Sequence, residues 1–112
     1  MKYMLLVYDD PAEWTGVTEE QRPGLYAEYM AVSQDPATID SAQLQPVTTA
    51  RTVRVDGGST LVTDGPFAET KEQLGGYYLV EADSIADAEK IAARIPSARM
   101  GGSVEVRPLV EM

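Results

Sequence analysis

Two short stretches of this chain are apolar at consecutive positions instead of alternate ones. They run from Met4 to Val7 and from Tyr77 to Val80. Successive side chains of a strand point to opposite faces, so strands of this kind need cover on both faces. The sequence has only two amphipathic helical segments, which are enough for one face of a sheet. We expect a second copy of the sheet, packed face to face about a twofold axis in a homodimer, to cover the other face.

A cover supplied by the same chain is the alternative. The hairpin predicted near residues 49–63 and the polar segment 37–46 would then fold over the bare face of the sheet. The protein would be a monomer in that case, so the two possibilities differ in the mass of the protein in solution.

The predicted elements follow one another as strand, helix, hairpin, strand, helix and strand. This is the split βαβ order of a ferredoxin-like α+β sandwich with an antiparallel sheet. A further short strand is expected around residues 42–45. The other strands are expected at residues 2–8, 49–55, 60–63, 77–80 and 103–107, and the helices at residues 18–35 (or from 23) and 84–95.

Both helices carry capping signals at their N-termini. Thr18 and Gln21 have the spacing of a capping box, and so do Ser84 and Asp87. Apolar residues then recur at helical spacing, which predicts one buried stripe on each helix. The first stripe is Leu25, Tyr29 and Val32, and the second is Ile85, Ala88, Ile91, Ala92 and Ile95.

The composition removes whole classes of chemistry. The chain has no cysteine and no histidine, which excludes disulfides, thiol nucleophiles, zinc ribbons and every catalytic pair that uses an imidazole. Nine basic and 18 acidic residues give a net charge of −9, which repels nucleic acid. No motif for an organic cofactor is present. Asp9, Asp10 and Glu13 resemble a metal cluster, but Pro11 between them favours a solvated acidic turn and no metal site.

The N-terminal apolar run is short, because Asp9 and Asp10 end it. A run of this length is too short for the core of a signal peptide or for a membrane span. We therefore expect a cytoplasmic protein that contacts no membrane.

The most distinctive run of the sequence is DGPFAETKEQLGGYY, from Asp64 to Tyr78. It resembles the signature of the DGPF branch of the YCII-related family, and the flanking runs MKYMLLVY, LQP, TVRV and GGSVEVRPLVEM agree with it. The resemblance implies one domain over residues 1–112, folded as a dimeric α/β-barrel. Related proteins include a dehydrochlorinase that acts on a chlorinated hydroquinone. Members are often encoded beside extracytoplasmic-function sigma factors or fused to them, which implies a sigma factor as a partner.

The resemblance also implies a catalytic His–Asp pair, and here the chain departs from the family. The histidine would lie on the first helix, within residues 25–33, where the sequence has none. Tyr29 is the natural substitute on that helix, because a tyrosine can act as a general acid. Asp64, at the Asp-Gly-Pro turn, is the candidate acidic partner. The alternative role for Asp64 is structural, with its side chain bonded to the backbone of its own turn.

Five further residues are candidates for ligand contacts. The loop after Asp64 is carried by a rigid sheet, which is a common setting for binding groups. Charged loops are also commonly only solvated, and tyrosines commonly pack in the core. Gly75 and Gly76, which follow the loop, are typical of a bulge or bend. The five candidates are Tyr8, Phe67, Glu69, Lys71 and Tyr77.

Two functions are consistent with these residues. The first is a small-molecule enzyme that catalyses proton transfer, elimination or isomerisation in a cavity between sheet and helix, with Asp64 and Tyr29 as its catalytic groups. The second is a non-catalytic ligand-binding or regulatory module. A deep pocket with Asp64 buried beside a tyrosine hydroxyl would favour the enzyme, and an Asp64 bonded only to backbone would favour the module.

Overall fold

The centre of the fold is a four-stranded antiparallel sheet. The computed structural model describes residues 1–111 of the chain. The chain forms six strands, which are β1 (Lys2–Asp9), β2 (Thr38–Gln43), β3 (Arg51–Asp56), β4 (Ser59–Asp64), β5 (Gln73–Glu81) and β6 (Ser103–Pro108). Four of them pair in the order β2-β5-β1-β6, which is the strand order of the split βαβ pattern. The predicted ferredoxin-like α+β class is therefore confirmed.

The helices are α1 (Pro11–Trp14), α2 (Arg22–Ser33) and α3 (Ile85–Ala92). The predicted capping box forms in the turn before α2, where the backbone N–H of Thr18 donates to Gln21 Oε1 at 3.0 Å and that of Gln21 donates to Thr18 Oγ1 at 3.3 Å. Ser84 Oγ caps α3 by accepting from the Asp87 N–H at 3.2 Å. In residues 1–111 no helix is both long and apolar enough to cross a membrane.

Helices α2 and α3 pack on one face of the sheet. The ladder between β1 and β5 pairs Tyr3 with Val80 and Leu5 with Tyr78, so these four side chains share that face. In the predicted stripe, Ala88, Ala92 and Ile95 are buried and Ile91 is partly buried. Ile85, the first residue of α3, is 43% exposed. The buried core consists of Tyr3, Leu5, Val7, Val32, Tyr78, Val80, Ala88, Ala92 and Ile95.

No segment of the described chain covers the other face of the sheet. Met4, Leu6, Tyr77 and Leu79 alternate with the buried residues of their strands and are partly exposed there. The hairpin β3–β4 is a separate two-stranded sheet, and nearly all of its residues are exposed. Residues 38–43 pair with β5 as an edge strand instead of crossing the face. The alternative prediction, that the hairpin and the segment 37–46 of the same chain cover this face of the sheet, is therefore wrong for residues 1–111.

Two local predictions are also corrected. The strand expected around residues 42–45 is β2, which begins earlier, at Thr38. The start of β2 is not evident in the sequence because its residues are polar. Polar residues suit an edge strand, which leaves much of its surface in water. The acidic segment after β1 contains α1, since Pro11 occupies a first-turn position where no helix N–H is required. Asp10 caps this helix by accepting from the Ala12 N–H at 3.0 Å and is 4% exposed, so it is not the solvated residue that was expected.

Candidate functional site

A cavity lies between α2, the sheet and the segment that follows β2. Its volume is about 730 Å³, and Val7 and Asp9 of β1 form part of its wall together with residues 41–47 and 73–76. Small-molecule sites in proteins have volumes of roughly 300–1,000 Å³. The cavity is therefore of ligand size, and it lies between helix and sheet as the sequence predicts.

Aromatic side chains form much of the cavity wall. Trp14, Tyr26, Tyr29 and Tyr78 all line it. The rings of Trp14 and Tyr29 stack, with centroids 6.2 Å apart and an interplanar angle of 24°. Tyr26 is one turn before Met30 on α2, and both side chains are more than half exposed at the mouth of the cavity. The wall therefore offers aromatic contacts to an apolar molecule.

Three side chains join into a hydroxyl relay (Tyr29, Ser97 and Asp9) at this wall. Tyr29 Oη lies 2.7 Å from Ser97 Oγ, and Ser97 Oγ donates a short hydrogen bond to Asp9 Oδ1. Ser97 has one hydroxyl proton, and that proton goes to the carboxylate, which only accepts. Tyr29 Oη is therefore the donor to Ser97. The lone pairs of the phenol oxygen remain available to a molecule in the cavity.

The position of Asp9 depends on a bulge in the sheet. The ladder pairs Val7 with Gly76 and Tyr8 with Leu74, which leaves Gly75 as the extra residue. A Cβ atom on Gly75 would lie 2.5 Å from Asp9 Oδ2. The missing side chain thus makes room for the carboxylate at the cavity wall, and the predicted bulge at the glycine pair is confirmed.

Ser97 is held by the turn that follows α3. It lies in a 3-10 turn (Pro96–Ala98) and is 1% exposed. Its carbonyl accepts from the N–H groups of Met100 at 3.3 Å and Gly102 at 3.1 Å. A buried hydroxyl held in this way has a fixed direction, which suits a residue that passes a proton between two neighbours.

Burial keeps the phenols of this site protonated at neutral pH. It raises the pKa of Tyr29, and the charge of Asp9 raises it further, whereas the hydrogen bond to Ser97 lowers it. Burial also raises the pKa of Tyr78 to about 12. Tyr78 Oη donates to the backbone carbonyl of Tyr29 at 3.1 Å, which ties α2 to β5. Tyr29 thus acts as a neutral hydroxyl in the relay.

Asp9 is the one charged residue among those that line the cavity within residues 1–111. The basic groups nearby have acidic partners of their own outside the lining. Arg99 Nη2 donates to Glu28 Oε2 at 2.6 Å, and Lys71 Nζ lies 3.5 Å from Asp10 Oδ2. The charge inside the cavity is therefore negative. Across the described residues, no group of three acidic side chains is arranged to hold a metal ion.

The structure brings only one predicted site residue, Tyr29, to the cavity. Asp64 lies at the end of β4 on the projecting hairpin, with its side chain 90% exposed and its Oδ1 atom 3.2 Å from Arg51 Nε. It is neither beside a tyrosine nor bonded only to its own turn. Its catalytic role stays a prediction, and the geometry does not join it to Tyr29.

The other tyrosine candidates lie on the opposite face of the sheet. Tyr8 and Tyr77 alternate with cavity-side residues of β1 and β5 and do not line the cavity. Tyr77 Oη donates to Asp40 Oδ2 at 3.2 Å, and that carboxylate raises the pKa of Tyr77. Ligand binding by these two residues is untested and would need a site on the bare sheet face.

The remaining candidates lie on the loop between β4 and β5. Phe67 is 81% exposed, Glu69 is exposed, and Lys71 reaches back to the buried Asp10. None of the three lines the cavity. Their binding roles also stay predictions, although the Lys71–Asp10 contact shows that the loop is attached to the body of the fold.

Sequence reasoning missed Asp9, Ser97 and Trp14 as site residues. Asp9 had a usable signal, because it is an acidic residue at the end of an apolar strand. Ser97 had none, since 88 positions separate it from Asp9 in the sequence. Trp14 lies on α1, which the sequence pattern did not reveal.

Three similarities to known proteins bear on this site. A sequence model of the YCII-related domain matches residues 1–112. An uncharacterised protein of Rhizobium meliloti (strain 1021) is 38% identical over 114 residues, which cover 97% of this chain and 92% of that protein. The structure of 5-chloro-2-hydroxyhydroquinone dehydrochlorinase from Burkholderia phenoliruptrix AC1100, in complex with 2,5-dihydroxybenzoquinone, aligns with a TM-score of 0.57 at 14% identity and covers 100% of this chain and 96% of that one. At this identity the last similarity concerns the fold alone.

Proposed function

Because the chain belongs to the YCII-related domain family, we propose that it is a small-molecule enzyme that moves a proton at the cavity beside Tyr29. The reaction class is proton transfer, elimination or isomerisation. One observation carries the proposal: the hydroxyl relay joins Tyr29 and Asp9, both of which line the cavity, through the hydroxyl of Ser97.

The relay works as a general base in three linked proton transfers. A bound molecule gives a proton from carbon or oxygen to Tyr29 Oη as the phenol proton passes to Ser97 Oγ. The Ser97 proton passes to Asp9 at the same time, so the carboxylate becomes a carboxylic acid and the charge of the bound molecule falls by one unit. Reversal returns the proton to another atom of that molecule or to its leaving group. Positioned groups of this kind contribute rate factors of roughly 10²–10⁴.

The structural neighbour supports this reaction class by analogy. That protein is a dehydrochlorinase, and loss of hydrogen chloride requires a base for the departing proton. The shared fold does not identify a substrate for this chain. The cavity size and the relay are the support that comes from this chain's own residues.

Hydrogen exchange in deuterated water tests the proposal without knowledge of the substrate. A panel of small phenols, ketones and amines is incubated with the protein, and deuterium uptake at carbon is followed by NMR. We expect catalysed exchange in at least one compound, and its loss in the Tyr29→Phe and Asp9→Asn variants. If no compound of the panel binds or exchanges, the cavity is not a small-molecule site of this kind.

A non-catalytic ligand-binding or regulatory module is the second candidate. The absence of histidine favours it, because an imidazole is the usual proton carrier of protein sites. A partnership with a sigma factor belongs to this candidate. Tight binding of a panel compound without any deuterium uptake would favour the module over the enzyme.

We also propose that the working form is a homodimer built on the bare sheet face. The chain exposes 7668 Å², whereas a compact monomer of this mass exposes roughly 6,100 Å². The projecting hairpin and the bare sheet face both contribute to this excess, and each partner buries roughly 800 Å² in a standard interface. Met4, Leu6 and Leu79 supply apolar area on that face.

A further inference from the structure

We propose that the cavity selects an organic cation, an amine attached to an apolar or aromatic ring, and rejects carboxylates and phosphates. This inference rests on the proposed function in one respect, since it takes the cavity to be the small-molecule site. It concerns the class of ligand and not the reaction.

The first argument is the charge of the cavity wall. Asp9 is the one charged residue of the described lining, and the polar residues beside it are neutral, among them Gln43, Gln45 and Gln73. The chain as a whole carries a net charge of −9. Both the local and the overall field therefore attract a cation and repel an anion.

The second argument is the position of the basic side chains. Arg99 is engaged by Glu28 and Lys71 by Asp10, and neither basic residue lines the cavity. A bound carboxylate would need a charged donor of this kind to replace its hydration. It would find the Asp9 carboxylate and neutral donors alone, such as the amides of Gln43, Gln45 and Gln73.

The third argument is the aromatic wall. The rings of Trp14, Tyr26 and Tyr29 line the cavity, and the face of an aromatic ring carries a partial negative charge. Cations bind over such faces, and tryptophan is the strongest of the three ring types. A ligand with an ammonium group and a ring would use both features. Its charge would pair with the Asp9 carboxylate, and its apolar body would lie against the aromatic wall.

The chemistry of the relay agrees with a cationic ligand. A positive charge next to a C–H bond makes that bond more acidic, because the charge stabilises the carbanion left behind. Removal of the proton by Tyr29 would turn a cation into a neutral molecule while Asp9 is neutralised. The transfer therefore cancels two opposite charges instead of creating them in a cavity of low polarity.

Three probes of matched shape test the inference by calorimetry at neutral pH and low salt. They are phenethylamine, phenethyl alcohol and hydrocinnamate, which differ in charge on the same ring. We expect the amine to bind at least tenfold more tightly than the alcohol, and the carboxylate to bind more weakly than both. Raised salt should reduce the advantage of the amine.

Two variants separate the cavity charge from the overall charge. Asp9→Asn removes the carboxylate from the cavity and should abolish the preference for the amine while the affinity for the alcohol is kept. Asp83→Asn removes the same charge from an exposed position before α3 and should keep the preference. The comparison of the three probes on the unmodified protein does not depend on either variant folding.

Each outcome decides between the claims. Carboxylate binding as tight as amine binding, or an amine preference that survives Asp9→Asn, overturns the inference and leaves the small-molecule site in place. Failure of all three probes, together with exchange of a neutral compound in deuterated water, overturns the inference alone. Failure of the probes and of the whole exchange panel overturns the proposed function as well.

Discussion

The hydroxyl oxygens of Tyr29 and Ser97 lie 2.7 Å apart, although the two residues are 68 positions apart in the sequence. One is on α2 and the other is in the turn after α3, so the hydrogen bond ties the two helical segments that cover the sheet. The same bond connects the cavity to Asp9 through Ser97. One contact thus takes part both in the packing of the two helical segments and in the proposed chemistry.

The Tyr29→Phe variant should separate the chemistry from the packing. The ring remains stacked on Trp14, but the phenol oxygen that receives the proton is gone. We expect catalysed deuterium exchange to fall about a hundredfold or more. The free energy of unfolding should fall by only about 0.5–1.5 kcal/mol, the usual effect of one lost hydrogen bond.

Tyr3→Phe is the matched control for that variant. Tyr3 is buried in the core, away from the cavity, and its hydroxyl has only a weak contact of 3.7 Å with the Met1 sulfur. Exchange should be unaffected. Equal loss of exchange in both variants would mean that general destabilisation, and not the relay, explains the effect of Tyr29→Phe.

Gly75→Ala should disable the relay although it substitutes none of the relay residues. The added Cβ would lie 2.5 Å from Asp9 Oδ2, so the carboxylate must move away from its place beside Ser97. A displacement of this size at a reacting group can lower a rate about a hundredfold. Gly16→Ala is the control, because a Cβ at Gly16 meets nothing within 4 Å. Normal exchange in Gly75→Ala would show that Asp9 is not required.

The free energy of unfolding should decrease at alkaline pH because of Tyr78. Burial raises its pKa from 10.0 to about 12, so the fold favours the neutral phenol. The stabilising contribution is complete below pH 10 and is lost as the pH rises towards 12. Urea unfolding at increasing pH should show this decline, and Tyr78→Phe should make it shallower.

Tyr26→Phe is the reference for the alkaline experiment, because Tyr26 is 56% exposed. Its variant should keep the full decline in stability. An unchanged slope in Tyr78→Phe would assign the alkaline loss to another group.

Leu79→Lys should split the proposed homodimer. Leu79 is on the bare sheet face, where a lysine in a dimer interface would be buried without a partner. Sedimentation should give twice the chain mass of 12.2 kDa for the unmodified protein and the single mass for the variant. Ile85→Lys, on the helix side, should leave the dimer intact. A single chain mass for the unmodified protein contradicts the dimer.

The sequence was informative wherever a local pattern decides the structure. The apolar runs of β1 and β5, the capping box at Thr18 and the stripe on α3 all depend on neighbours within a few positions, and they predict the fold. Tyr29 was found in the same way, from its place on a helix face. The relay was not, because Ser97 meets Asp9 only after the whole sheet has formed.

The placement of Asp64 shows the other limit of sequence patterns. Alternating residues and the Gly57–Gly58 turn predict the hairpin β3–β4 correctly. They say nothing about where a hairpin lies relative to the sheet, since both of its faces mix apolar and polar residues. The hairpin projects from the body of the fold. Asp64 is the last residue of β4 and therefore lies away from Tyr29.

A ligand titration of the protein with isotope-labelled tyrosine rings, followed by NMR, tests the central claim most directly. The ligand is the compound that binds most tightly among the exchange panel and the three phenethyl probes, and resonances are assigned from single Tyr→Phe variants. The account predicts that the ring signals of Tyr29 and Tyr26 shift on binding while those of Tyr8 and Tyr77 stay in place. Shifts at Tyr8 and Tyr77 with an unchanged Tyr29 would put the site on the opposite face of the sheet and contradict the account.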